Sequence, residues 1–275
     1  MKCDVMHFFI LFNIQDSNFE VFQGDEDSIG FGGFSTVFRG KNISTDEVLA
    51  VKKINLPLDG EGQDYFDTHI KKEVEALRDV NNDNIVRLFH YRVSGNFLYI
   101  FLEYCSERDL NRFVVKQQEL SDHLSLSFVK GIVSALKCLH EDTHPPVVHR
   151  DVKPENLLVA RSAQAHSSFV IKLTDFGLAS RMPSVSTIQV KTPAIGTFDW
   201  RAPETYPRSG EKGQASYGCC VDVFSAGLVI LAIANHEKGQ KLKPYKGRYP
   251  FNSLALHIVS IVMMGQVISK RHHAL

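Results

Sequence analysis

One stretch constrains this chain more than any other: His149-Arg150-Asp151-Val152-Lys153-Pro154-Glu155-Asn156-Leu157-Leu158-Val159. A carboxylate (Asp151), an ammonium two residues later (Lys153) and an amide five residues later (Asn156) share one short loop. Val147-Val148 before it and the apolar run Leu157 to Val159 after it predict two short strands that hold the loop between them. In such a loop Asp151 can accept a proton from a hydroxyl, Lys153 can neutralise phosphate charge, and Asn156 can hold a divalent cation. A capped polar turn would use the same residue types, so the rest of the chain decides.

Composition narrows the field. Lys+Arg and Asp+Glu both number 31 in 275 residues, so no global charge points to nucleic acid or to a membrane surface. The five cysteines (Cys3, Cys105, Cys138, Cys219, Cys220) are odd in number and lack metal-binding spacing, which argues against a disulfide framework and for a reducing compartment. His272-His273 reads as a solvated tail. Met6 to Phe12 is almost wholly apolar behind Lys2, but Asp4 interrupts the front, the run is short and no small-residue cleavage site follows. An extra strand or a poorly ordered leader is expected there. No run reaches the ~18 apolar residues of a spanning helix, and a soluble, cytoplasmic or nuclear protein is expected.

Along the chain, Ile29 to Gly40 reads as a strand, a glycine turn and a second, alternating strand. Glycines let backbone amides approach phosphate oxygens; a dinucleotide fold would need a helix directly after them, so a hairpin lid fits better. Fifteen residues after Val37 comes Lys52, which alternation places on the face of Ala50, with Lys53 on the opposite, solvated face. A lysine among apolar neighbours needs an anion. Residues 65 to 80 read as a helix through Phe66, Ile70, Val74 and Leu77; Glu73 then faces Lys52, unless it pairs at the surface with Lys71 or Lys72. Leu98 to Tyr104 is a strand. Phe128, Val129, Ile132, Val133, Leu136 and Leu139 mark an amphipathic helix whose apolar positions are core. After the loop, Val170 to Thr174 is a strand closed by Asp175-Phe176-Gly177, 24 residues after Asp151. Met182 to Ala194 has loop composition, and Gly196-Thr197-Phe198-Asp199-Trp200-Arg201-Ala202-Pro203-Glu204 follows. Val221 to Ala234 is apolar nearly all round, a buried helix in which Asp222 needs hydrogen-bond partners.

In this order and at these spacings the motifs resemble those of the eukaryotic protein kinases, serine/threonine type, over residues 29 to about 251. The resemblance implies an α+β, two-lobed protein kinase fold, with a small β-rich N-lobe (23–103), a mainly helical C-lobe (104–275) and a poorly defined leader (1–22). It implies transfer of the γ-phosphate of ATP, with Mg2+, to a Ser or Thr hydroxyl of a protein substrate. Asp151 would orient the hydroxyl, Lys153 steady the γ-phosphate, and Asn156 and Asp175 hold the metal. The ATP-binding set implied is Ile29, Gly30, Phe31, Gly32, Gly33, Phe34, Ser35, Thr36 and Val37 of the glycine-rich loop, then Ala50, and Lys52 held by Glu73. Glu103 and Cys105 at the hinge, Asp109 toward the ribose, and Leu158 complete that set. Lys153 matches serine/threonine rather than tyrosine kinases. Two departures are Ser35 at the third glycine and Phe224 where tryptophan is usual. The Ala-Pro-Glu segment, a peptide shelf in the family, disfavours a small-molecule kinase. Beside Asp151, Arg150 suits a phosphate on Thr192 or, behind it, on Thr187 or Ser186, added by an upstream kinase. Thr197 matches instead the threonine that contacts the loop.

The resemblance also implies an arginine on a late helical turn as partner for Glu204. After Pro250-Phe251 only Leu254 to Met264 reads as a further helix, and Arg271 is the one arginine left. The last helices of the lobe are therefore expected to be missing, with Glu204 partly buried and unpaired and apolar faces at 221–234 and 254–264 uncovered. Marginal stability, a stabilising partner, and a weak or silent kinase-fold scaffold as the alternative role follow from that expectation.

Overall fold

The computed structural model describes residues 9–14, 17–22, 28–31, 35–56, 71–78, 80–117, 119–162, 169–176, 180–181, 188–190, 196–206 and 215–244. The chain divides into two compact units, Met1–Asp79 with Val86–Cys105, and Val80–Ile85 with Ser106–Leu275.

The first unit is built on an antiparallel sheet of β1 (Phe9–Ile14), β2 (Ser17–Phe22), β3 (Ser28–Phe31), β4 (Ser35–Asn42), β5 (Val48–Asn55), β6 (Leu88–Ser94) and β7 (Phe97–Glu103). Its order is β1-β2-β4-β5-β7-β6, with β3 also on β4. β5 is rich in β-branched residues and pairs on both sides, Lys52 lying opposite Val37 on β4 and Ile100 on β7. One face buries Phe19, Val21, Leu49, Val51, Tyr99 and Phe101, with Phe19 and Phe101 ring to ring at 4.7 Å. β1 and β2, in the stretch read as leader or extra strand, thus pair antiparallel, and Phe19 and Val21 of β2 enter this core. Helix α1 (Lys71–Arg78) buries Val74; the expected helical residues 65–70 lie outside the described residues, and Val80 lies beyond the helix.

The second unit begins with α2 (Leu110–Gln117) and α3 (Asp122–Lys137). The Ser121 hydroxyl accepts the Leu124 amide at 3.3 Å and starts α3. Phe128, Val129, Ile132, Ala135 and Leu136 are buried, whereas Val133, expected in the core, sits exposed on the helix flank. At Gly131 a Cβ would stand 2.6 Å from Ile171 and 2.7 Å from Asn84, so glycine is what lets the helix approach so closely. A π-turn (Cys138–Asp142) ends it. β8 (Val147–Val148) and β9 (Leu157–Arg161) flank the polar loop as expected; β10 (Phe169–Leu173) pairs with β9, and β11 (Ser180–Arg181) with β8. β12 (Ile188–Val190) pairs with β13 (Ala215–Tyr217), and α4 (Cys220–Ala234) follows. Val129 of α3 and Ile230 of α4 share a core cluster. Phe224, on the helix read as buried, is exposed.

Candidate active site

The loop is anchored from α4. Asp222 is 1% exposed, and its two oxygens accept three hydrogen bonds: Oδ1 from the Arg150 amide (2.7 Å), Oδ2 from the His149 amide (2.7 Å) and from His140 Nε2 (2.9 Å). Burial alone would push this carboxyl up; the His140 bond, helped by His149, outweighs burial and holds it below the ordinary aspartate range. His149 is wholly buried. Its Nε2 donates to the Thr174 carbonyl (2.9 Å) and its Nδ1 accepts the Asp151 amide (3.3 Å), which fixes one neutral tautomer. Burial pushes its pKa down, against the opposing pull of Asp222. The Phe176 ring packs edge-on at 4.8 Å.

Unusual backbone angles stand beside this bracket. Arg150 (φ 69°) and Asp175 (φ 63°) are both left-handed without being glycine, a strain that persists only where surrounding bonds enforce it. Gly196 (φ 99°) passes so close that a Cβ would stand 2.5 Å from the Arg150 carbonyl oxygen.

Asp151 is the next centre. Thr197 donates to Oδ1 through both its amide and its hydroxyl (2.9 Å each). Lys153 Nζ lies 2.8 Å from Oδ2 and 2.6 Å from the Thr197 hydroxyl, while Asn156 Nδ2 donates to Oδ2 (2.9 Å) and to the Asp151 carbonyl (2.8 Å). Burial works upward on this carboxyl too, and the Lys153 and Thr197 contacts overcome it, so Asp151 stays ionised. The Thr174 amide donates to the Asn156 carbonyl (2.9 Å), tying the residue before Asp175 to the loop. Asp151, Lys153, Asn156 and Thr197 are thus brought together.

The other expected residues fall as follows. Ile29 and Gly30 lie on β3, and Ser35, Thr36 and Val37 on β4, with Gly30 opposite Val37. Ala50 is buried and Lys52 half-buried on β5; Lys53 is not simply solvated, since its ammonium lies 4.0 Å over the Phe97 ring. The Glu103 amide donates to the Arg87 carbonyl (2.9 Å), and Cys105 is buried. Asp109 caps α2, its Oδ1 accepting the Arg112 amide at 3.0 Å, and forms a backbone bridge with Leu158. Glu204 is exposed rather than partly buried, so water solvates its charge and the desolvation cost attached to it does not arise. Outside the described residues lie Gly32, Gly33, Phe34, Gly177, Ser186, Thr187, Thr192, the 254–264 helix and the side chains of Phe31 and Glu73.

Sequence reasoning missed His140 as the third partner of Asp222. A histidine at the end of an apolar helix, with a buried aspartate to satisfy elsewhere, was the available signal. It also missed Glu107, whose carboxylate takes Arg161 Nε (2.8 Å) and Lys116 Nζ (3.2 Å), and Asn111, which holds Glu155 (2.8 Å) and the Leu242 amide (2.9 Å).

A two-unit α+β fold with an Asp-Lys-Asn-Thr centre bracketed by a buried aspartate defines a class, and comparison with known proteins agrees. The family model described as protein kinase domain matches residues 24–256, so the chain belongs to the protein kinase domain family. It is 32% identical over 244 residues to a probable receptor-like protein kinase of Arabidopsis thaliana, covering 87% of this chain and 44% of that protein. It is 31% identical over 218 residues to the maternal embryonic leucine zipper kinase of Danio rerio (78% and 29%). Against the probable serine/threonine-protein kinase PBL28 of Arabidopsis thaliana it is 31% identical over 217 residues (76% and 53%). The chain spans about half or less of the length of these curated relatives. No helix among the described residues is long and apolar enough to cross a membrane.

Proposed function

We propose that this chain transfers the γ-phosphate of ATP, with Mg2+, to serine or threonine hydroxyls of a protein substrate. The observation that carries the reading is the Asp151 carboxylate, its side chain 9% exposed, with Lys153 2.8 Å away and Thr197 2.9 Å away on its other oxygen, contacts that hold it below the ordinary aspartate range. Such a group orients a hydroxyl and takes its proton, while the ammonium beside it offsets negative charge developing on the transferred group. The donor set suits magnesium: Asn156 spends its Nδ2 on Asp151, which leaves the amide oxygen Oδ1 as a hard ligand, and Asp175 adds a carboxylate. When bound, Mg-ATP supplies the phosphoryl group and the charge neutralisation its transfer needs. Lys52, kept in place by Glu73, is assigned to the α- and β-phosphates. The glycine-rich residues, Ala50, Glu103, Cys105, Asp109 and Leu158 are assigned to the rest of the nucleotide. Serine/threonine preference rests on Lys153 two residues after Asp151, and serine/threonine-protein kinases stand among the relatives.

The test is radiolabel transfer to a peptide library, with nucleotide binding followed separately by fluorescence. Asp175→Ala should lose Mg-dependent transfer. Asp151→Asn should lower kcat by about a hundredfold or more while ATP still binds. Undiminished transfer by Asp151→Asn, freed of contaminating kinase, overturns the assignment.

A further inference from the structure

Around the start of α2 the charges are sorted by depth. Two carboxylates point inward, with side chains only 6% (Glu107) and 18% (Asp109) exposed, and the cations they hold point outward: Lys116 is 69% exposed, Arg161 72% and Arg112 62%. Arg161 and Lys116 share Glu107, one on each oxygen, and Arg112 Nε reaches Asp109 Oδ2 at 3.2 Å. The platform beneath is stiff. Leu110, Phe113 and Val114 are buried, Phe113 packs edge-on against Phe128 (5.7 Å) and Phe169 (4.9 Å), and Arg161 lies 5.7 Å over Phe169. The next carboxylates along the chain, Glu119 and Asp122, line a separate cavity of about 280 Å³ with His236 and Lys238. The three cations thus point outward over the two buried carboxylates, and the third carboxylate of the region, the exposed Glu155, is held by Asn111 of the same helix at 2.8 Å.

We propose that this α2–β9 surface docks an acidic peptide segment of a partner protein, read by Arg112, Lys116 and Arg161. Arg112 and Lys116 are four residues apart on one helix face, a rise of about 6 Å. Alternate side chains of an extended peptide are about 6.6 Å apart on one side. The surface accordingly fits carboxylates at alternate positions, Glu-x-Glu, better than a contiguous acidic block. Because the cations are already held by buried carboxylates, docking orders few new side chains. Binding needs no phosphate transfer, so its failure leaves the catalytic reading untouched.

The experiment is fluorescence anisotropy of a labelled dodecapeptide with glutamate at alternate positions, on the whole chain, across a salt series. Binding should weaken as salt rises, and the same peptide with glutamine in place of glutamate should not bind. R112E/K116E should weaken binding about tenfold and give binding to the lysine counterpart of the peptide, which the parent chain refuses. If circular dichroism shows that this double variant does not fold, Arg112→Gln and Arg161→Gln are read in its place, each expected to weaken binding about threefold. Three outcomes would overturn the proposal: variants that bind like the parent, equal binding of the glutamate and glutamine peptides, or displacement of the peptide by a single-stranded oligonucleotide of the same charge at lower concentration.

Discussion

The sheet core of the first unit and the Asp222 bracket of the second are equally dry, yet opposite forces hold them. Phe19, Val21, Leu49, Val51, Tyr99 and Phe101 make many weak, undirected contacts, and any one of them can be traded for a residue of similar volume at modest cost. Asp222 makes three directed bonds, to the His149 and Arg150 amides and to His140 Nε2, and the carboxylate itself is only 1% exposed. The apolar core thus specifies a volume and the bracket specifies positions. The proposed transfer would depend on positions, and a buried carboxylate in a mostly apolar helix supplies them where an apolar side chain could not.

Asp222→Ala breaks that contrast most directly. It strands the His149 and Arg150 amides and should cost about 3–5 kcal/mol in urea unfolding, with transfer falling at least about a hundredfold. A loss under about 1 kcal/mol would mean that the bracket is not what holds the loop. Phe19→Ala should cost about 3–4 kcal/mol, but Phe19→Leu only about 1 kcal/mol, and the molecules that remain folded should keep their kcat.

Acid sharpens the comparison further. His149 and, in the sheet, His90 have pKa values pushed down mainly by burial. Unfolded histidines take up protons near pH ~6.5 while the folded ones resist, so their contribution is full above that value and is lost as pH falls below it. Asp151 and Asp222 are held below the ordinary carboxyl value, so their contribution persists to about pH 4 and disappears as pH drops through their folded values. His90→Gln should therefore flatten part of the upper slope of stability against pH and leave the lower slope alone. The smallest effect expected is at the Ser121 cap, where Ser121→Ala should cost up to about 1 kcal/mol without changing transfer.

What the sequence showed divides along the same line. Motif spacing brought Asp151, Lys153, Asn156, Thr197 and Asp222 into view, because each lies in a short motif whose order and spacing can be read directly along the chain. Periodicity found the helix at 71–78 in part and the helices of Phe128 and Asp222 well. It failed at Val133 and Phe224, since hydropathy records what a side chain tolerates and neighbours decide which face is covered. Burial of Glu204 was inferred from a family partner, and no local property of the chain demanded it. His140 and Glu107 stayed hidden because each meets a partner across a long stretch of chain, 82 residues for His140 and Asp222 and 54 for Glu107 and Arg161. Such pairings leave no periodic trace.

The first strand has a consequence for keeping the protein in a tube. β1 stands at the end of the sheet, and among the described residues it pairs with β2 alone; its sequence, Phe-Ile-Leu-Phe-Asn-Ile, has neither charge nor proline. The opposite edge strand, β6, carries His90 and Arg92, which discourage zipping with a neighbour. Concentrated stocks should cloud with time through β1, and a lysine at Leu11 should lengthen their shelf life by making that edge repel its own copy.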